Sequence, residues 1–509
     1  MKVMLHFMPP SRRGCLLLAT VIGAFGWAGF ARADSPLPTG SPAGNIAVPP
    51  AFKGAVSADM PEQASNEAGA PWWGIFADPV LNRLEDQAVK SNQDLQGAIA
   101  RVSEARAAAS AAAAGLYPKV SVPLEASRQH TTNTGPVTTS RLVGAGFGAG
   151  FPTSFAGQAL QNTYSDFQVP LTVGYEIDVF GRVSHARDQA RANAEASQAD
   201  REAVRLSLTA QVAANYFALR AADSAVAVLQ RTMDLRSDAE HIQDQRVKAG
   251  SATDVDLLRA KVESANTEAD LADAVQERAA LENALAELCG QSASTFHVDA
   301  RPLDLVAPPP VPVTVPAQVL SQRPDLVEAE LRIAAANEGV KAARAQFYPA
   351  ISVLGGYGFE SSQDNQLLEN QSHTWSIAGA INIPIFDGGR NSADLRLARS
   401  KSDEAIEFYR ATALKAFREV EDALSALRQR AVQADARRRA AEDARKVYEA
   451  SQRSYTDGGL SYFEVIDSQR VLLSAELAQV RTLGGRYAAT VDLVRATGGG
   501  FGGTAGDGK

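Results

Sequence analysis

Cysteine is nearly missing from this chain. Its 509 residues contain two, Cys15 and Cys289, which excludes a disulfide framework and a Cys-rich zinc site. Histidine is almost as scarce. His6, His130, His185, His241, His297 and His373 are scattered, with no HExxH pattern and no close Cys/His cluster, so spacing reveals no metal site. Positive charge is in deficit, with 50 Lys+Arg against 58 Asp+Glu and a net charge of -8. That balance argues against a nucleic-acid partner. Beyond residue 33 no run approaches about 18 consecutive apolar residues, so any bilayer crossing falls to strands. Proline is absent from 171–301 and from 385–509, two long spans without the commonest helix breaker. At 45% hydrophobic and 21% charged, the chain is nonetheless not disordered.

What is present begins with a targeting signal over 1–33. Lys2, Arg12 and Arg13 precede an apolar run from Cys15 to Phe30, and Ala31-Arg32-Ala33 offers small residues for cleavage. The run is too short for a permanent spanning helix. Removing residues 1–33 takes away four basic residues and no acid, leaving a net charge of -12 and one thiol, Cys289. An exported chain without disulfides fits that count.

The remainder repeats itself. Leu116-Tyr-Pro-Lys-Val-Ser-Val122 returns as Phe347-Tyr-Pro-Ala-Ile-Ser-Val353, 231 positions later. At the same offset Asp94-Leu95 matches Asp325-Leu326, and Arg101 matches Arg332. Further on the offset becomes 208: Gly181-Arg182 pairs with Gly389-Arg390, Gly250 with Gly458, Leu285 with Leu493 and Gly290 with Gly498. Two copies of one unit, 80–301 and 317–500, joined by the Pro-rich 302–316, account for both offsets. Residues 34–79 precede them, and a Gly-rich tail, 501–509, follows.

Within each unit the hydrophobic period switches. Leu84 to Ala114 reads as one helix, with Leu95, Ala98, Ile99, Val102 and Ala105 at 3- and 4-residue steps. Tyr117-Pro118 stops it. Period two follows: Val120, Val122, Leu124 and Ala126, then Phe167, Val169, Leu171, Val173, Tyr175 and Ile177. The second unit repeats this with Ile351, Val353, Gly355, Tyr357 and Phe359, then Trp375, Ile377, Gly379, Ile381, Ile383 and Ile385. Strands of about 9–11 residues suffice to cross a bilayer when tilted. From Ser184 to Lys248 there is no Gly or Pro, about 65 residues and about 100 Å of helix. After a turn at Gly250-Ser251-Ala252-Thr253, a second helix runs from Asp254 to Leu288. The later half copies this around Asp457-Gly458-Gly459. Ala-rich helix pairs bury little area alone, and four strands per chain cannot close a barrel. An open strand edge in lipid leaves backbone groups unpaired. An oligomer is therefore required.

Other candidate sites carry little. Gly144-Ala-Gly-Phe-Gly-Ala-Gly150 lacks a Walker Lys and a strand–helix frame, so it reads as an exposed loop. Arg437-Arg438-Arg439 reads as a solvated helix face. No Ser/His/Asp or Cys/His constellation stands out, and neither an enzyme nor a cofactor is expected. A soluble helical scaffold would need no strands.

The chain resembles the TolC-type outer-membrane factors, in the OprM/NodT branch of tripartite RND-type efflux systems. The residues that carry the resemblance are Trp72-Trp-Gly-Ile-Phe-Ala-Asp-Pro-Val-Leu81, Asp94-Leu95 and Ala100-Arg-Val-Ser-Glu-Ala105. Both Tyr-Pro turns, Phe386-Asp-Gly-Gly-Arg390 and Tyr455 through Gln469 add to it. The resemblance implies an α+β membrane protein. Three protomers of four strands would form a 12-stranded outer-membrane β-barrel, continued by a long periplasmic α-helical barrel with an equatorial belt. It implies a passive exit duct for small molecules and drugs, with homotrimer contacts, outer-membrane lipid, a periplasmic adaptor and an inner-membrane pump as partners. A TolC-like duct for type I protein secretion is the alternative.

By the same resemblance the helix-hairpin turns lie at the periplasmic tip. Glu464 and Asp467 are the expected gate acids, with Asp254 and Asp256 at the equivalent tip of the first half. Ordinary helix N-terminal acids would look the same in sequence. Gly250, Ser251, Tyr455, Gly458, Gly459 and Leu460 are the expected adaptor contacts, although turn formation alone would also explain the glycines. Many members of this branch are lipoproteins with a cysteine just after the apolar signal. Here Cys15 precedes the run, so an unlipidated N-terminus near Asp34 is expected.

Overall fold

Four helix C-termini set the length of every long element, and each ends on a glycine. Gly250, Gly290, Gly458 and Gly498 have φ of +72°, +65°, +79° and +92°, the left-handed conformation that Gly adopts without a Cβ penalty. Around Gly250 the amide of Ser251 donates to Arg246 O at 2.8 Å and that of Gly250 to Val247 O at 2.9 Å. Gly459 to Ser454 O (2.8 Å) and Gly458 to Tyr455 O (3.1 Å) repeat it. These are Schellman closures, which satisfy the last carbonyls of a helix and reverse the chain.

The computed structural model describes residues 49–53, 71–130, 163–311 and 316–499, all within one unit, Ile46–Lys509. The signal segment, Gly144–Gly150, the 501–509 tail and parts of 34–79 and 302–316 lie outside the described residues. A short 3-10 helix, Trp72–Phe76, leads into α1 (Pro79–Ser91) and α2 (Gln93–Ala114). Then come β1 (Lys119–Ser121), β2 (Glu125–His130), β3 (Thr163–Ile177), α3 (Arg182–Lys248) and α4 (Asp254–Leu288). The second copy contains α5 (Pro316–Gln322), α6 (Pro324–Ala345), β4 (Ala350–Ser361), β5 (His373–Asn382), α7 (Arg390–Thr456) and α8 (Tyr462–Ala496). Both α3 and α7 have 67 residues, and both α4 and α8 have 35, so the repeat is structural.

The structure corrects three element boundaries. The helix read across Leu84–Ala114 is two helices, because Asn92 is extended (φ −66°, ψ 129°). Its Oδ1 accepts from Leu95 N at 3.0 Å and its Nδ2 donates to Leu288 O at 3.1 Å. Arg323 makes the matching break before α6, donating to Ala496 O at 3.0 Å and to Glu419 at 2.8 Å. Each break thus captures the end of the returning helix of its own repeat. The strand read over Val120–Ala126 is two segments interrupted at 122–124, where Pro123 has no amide to donate. Both segments pair with β3, so they occupy one strand position. Finally, β5 ends at Asn382 before Pro384, leaving Ile383 and Ile385 beyond the strand.

The sheet runs antiparallel in the order β1/β2, β3, β4, β5. Register lines up Leu171, Tyr357 and Trp375 in one row, and Ile177, Ile351 and Ile381 in another. Directly opposed residues share a face, so the alternation seen in sequence becomes one continuous apolar surface. The other face places Ser121, Thr172, Gly356 and Ser376 in line. On the apolar face Trp375 is 67% and Ile377 76% exposed within the single chain. The main core lies elsewhere, where Trp72, Trp73, Tyr216, Leu219, Leu285, Val420 and Leu493 pack together.

Candidate functional site

The two helix-hairpin turns lie against one another, and their capping explains much of their acidity. Ser461 and Glu464 form a capping box at the start of α8: Ser461 N donates to Glu464 Oε2 at 2.9 Å, and its hydroxyl donates to the same oxygen. The Ser461 hydroxyl chiefly holds the Glu464 carboxyl below its usual range. At the start of α4, Asp256 N donates to Thr253 Oγ1 at 3.3 Å, and that hydroxyl donates to Asp256 Oδ2 at 2.8 Å. Glu464 and Asp256 therefore occupy the same N3 position in the two repeats. Each satisfies a helix end while carrying charge favoured by the dipole.

Asp467 stands one turn beyond Glu464, exposed, and its charge reaches Arg470. On a helix such an i, i+3 pair shares a face, so the two acids of α8 are brought together. Asp254, at the first position of α4, is exposed as well. It does not share a helix face with Asp256, whose carboxylate pairs with Arg259 at 3.7 Å. Gly250, Ser251, Gly458, Gly459 and Leu460 are all exposed.

Tyr455 is half-buried and committed within the chain. Its hydroxyl accepts from Gln243 Nε2 at 2.8 Å and from Arg246, and the Arg246 guanidinium lies 5.1 Å over its ring. It also packs on Tyr462 at 5.6 Å between ring centroids. The C-terminal ends of α3 and α7 are thereby tied together.

Behind this contact lies an ion cluster that spacing in sequence does not reveal. Arg236 of α3 pairs with Glu263 of α4 at 3.1 Å, their side chains 5% and 6% exposed. Arg470 of α8 also pairs with Glu263, and Arg236 donates to Glu263 O at 2.8 Å. Burial chiefly depresses the Arg236 pKa, opposed by the Glu263 charge. One turn-level farther, Glu476 of α8 receives Arg231 of α3 at 3.2 Å and Arg445 of α7 at 2.5 Å. The one available signal was Glu263 itself, an acid within the small-residue stripe Ala260, Ser264 and Thr267.

The arrangement is a pair of capped, exposed acidic turns backed by cross-helix ion pairs that join the repeats. Its chemistry is electrostatic: fixed negative charge at the helix starts, and ion pairs able to hold or release the helices behind it.

Comparisons with known proteins bear on the whole chain. A family model described as "Outer membrane efflux protein" matches residues 84–291 and 315–499. Outer membrane protein OprJ of Pseudomonas aeruginosa is 30% identical over 439 residues, covering 84% of this chain and 86% of that protein. The probable outer membrane lipoprotein SilC of Salmonella typhimurium is 28% identical over 430 residues, covering 84% and 88%. Among solved structures, the outer-membrane channel OprN superposes with a TM-score of 0.76 at 27% identity, over 90% of this chain and 98% of that one.

Proposed function

This chain belongs to the outer membrane efflux protein family, and from that premise we propose how its two acidic turns work. The protein is an outer-membrane efflux channel component with the fold of the trimeric channels, in which the sheets of three chains close one 12-stranded barrel. The observation that carries the duct reading is the two-faced sheet. Its apolar face suits lipid, and its edge strands require neighbouring copies. The family description and the relatives favour efflux over protein secretion.

Our reading of the tip goes further. Glu464 and Asp467, repeated around the three-fold axis, form rings of negative charge at the narrow periplasmic mouth and favour cations there. Asp254 and Asp256 supply charge at the neighbouring turn. The Tyr455 and Arg236–Glu263–Arg470 contacts hold the helices together at rest. Gly250, Ser251, Gly458, Gly459 and Leu460 present the surface on which a periplasmic adaptor docks, linking the duct to an inner-membrane RND-type pump. The N-terminal signal is removed after Ala33, leaving an unlipidated Asp34. This differs from the lipoprotein name of SilC, and intact-mass measurement of the mature chain tests it.

Single-channel recording of the purified trimer in planar bilayers tests the mouth. Glu464→Gln combined with Asp467→Asn is expected to reduce cation selectivity, and unchanged selectivity and conductance would remove both acids from the gate. Disulfide crosslinking from Ser251→Cys and Leu460→Cys to a Cys-bearing adaptor tests the docking surface.

A further inference from the structure

We propose that His185, Asp188 and Glu338 form a binding site for a divalent transition-metal cation of the zinc class, clamping α3 of the first repeat to α6 of the second. One ligand atom from each residue lies within 4.8 Å of the other two, and His185 Nδ1 is 2.7 Å from Glu338 Oε2. An imidazole with two carboxylates is a donor set suited to zinc, with water completing the coordination.

The surroundings leave the necessary atoms available. Arg187 places both of its contacts, 2.9 and 2.6 Å, on Asp188 Oδ1. Asp188 Oδ2 has no hydrogen bond among the described residues. Lys341 occupies Glu338 Oε1 at 2.7 Å, leaving Oε2 facing the imidazole. The side chains of His185, Glu338 and Asp188 are 31%, 22% and 37% exposed, so solvent reaches them. Glycine keeps the ring clear on one side: at Gly181 (φ +76°) a Cβ would lie 3.1 Å from His185 Nε2.

The internal repeat supplies a control. At the offsets that align the two copies, the counterparts of His185, Asp188 and Glu338 are Ala393, Arg396 and Ala107. The other copy thus carries no comparable donor set, and the cluster is particular to the α3–α6 contact. Ligands around a tetrahedral zinc lie about 3.4 Å apart. Modest rotamer changes thus contract the widest gap and open the 2.7 Å contact. Ligation through Nδ1 requires the neutral tautomer that carries its hydrogen on Nε2. The adjacent Arg187 and Lys341 lower the affinity without occupying the ligand atoms.

The test is calorimetric titration of ZnCl2 into the tag-free, EDTA-treated, detergent-solubilised trimer, paired with unfolding midpoints with and without zinc. One zinc per chain and a zinc-dependent rise in midpoint are expected. His185→Ala and Glu338→Gln should each weaken binding by more than about 10-fold. His297→Ala should leave it unchanged, although His297 also lies beside carboxylates, at 3.1 Å from Glu282 and 3.7 Å from Asp299. Glu338→Gln keeps an acceptor for His185 and decides the matter if His185→Ala fails to assemble. Absence of zinc uptake, full binding by Glu338→Gln, or loss of binding in His297→Ala would overturn the proposal.

Discussion

Glu85 has no exposed surface, and neither of its carboxylate oxygens has a hydrogen-bond partner among the described residues. It occupies the same buried side of α1 as Leu81, Leu84 and Ala88. Burial, with a smaller contribution from Asp86, raises its pKa from 4.5 to about 9. The folded chain therefore holds this proton up to pH about 9, whereas the unfolded chain releases it above about 4.5. Unfolding between those values releases a proton, so stability falls as pH rises through that window. At 1.36 kcal/mol per unit of pKa, the loss is about 3 kcal/mol per chain at pH 7 and about 6 kcal/mol at pH 9. Glu85→Gln removes the titration while keeping the shape and a neutral polar group. The variant should match the parent near pH 5, then gain on it by about 1.4 kcal/mol per pH unit up to pH 9. Denaturant unfolding of the solubilised trimer at pH 5.5, 7 and 8.5 measures this. Trp72 and Trp73, both 6% exposed in the same core, supply the fluorescence signal. Parallel pH profiles for the two proteins would refute the reasoning.

Gly290→Ala should lower stability by about 1–3 kcal/mol, since φ is +65° and a Cβ would sit 2.2 Å from Ser91 O; unfolding midpoints read the loss. Arg236→Met combined with Arg470→Met leaves Glu263 charged and buried without a guanidinium partner and should cost about 3–5 kcal/mol, whereas adding Glu263→Leu should recover most of it; a mutant cycle measures the coupling. Cys289 is fully buried, and burial with the nearby Glu85 pushes its thiol up to about 11. Maleimide should therefore label it only after denaturation, as intact mass will show.

Legibility followed the distance over which each feature is decided. Turns and long helices are local: α4 begins at Asp254 and ends at Leu288, the limits that Thr253 and Cys289-Gly290 mark in sequence. The apolar sheet face was legible because a period of two survives any pairing register. The breaks at Asn92 and Arg323 were not. Their neighbours continue a helical pattern, and what stabilises the breaks is Leu288 O and Ala496 O from distant helices. Glu464 shows the ambiguity of a local signal, since Ser461-x-x-Glu464 is a capping-box spacing as well as the proposed position of a gate acid. Glu263 with Arg470, and His185 with Glu338, lie 207 and 153 positions apart, and only tertiary packing brings them together.

The ion clusters answer a problem that the alanine content creates. From Ala260 to Ala274, α4 buries Glu263, Ser264 and Thr267 but no large apolar side chain. On α7 no residue between Leu424 and Ala441 is buried. Small residues allow helices to approach closely, yet a stripe of them differs little from itself after a slip of one turn, about 5.4 Å. Large interlocking side chains would prevent such a slip, and here most lie in the distant core around Tyr216 and Leu285, with only a small cluster at Leu229 and Leu473 beside the ion pairs. Glu263 and Glu476 supply the missing register marks. Each receives two guanidinium groups from different helices, and a one-turn slip would strand a buried carboxylate. The same marks are reversible in a way that packed leucines are not, because an ion pair re-forms in water at small cost once the helices part. If the tip opens as proposed, helices that hold a register at rest and then separate are better indexed by charge than by a continuous hydrophobic seam.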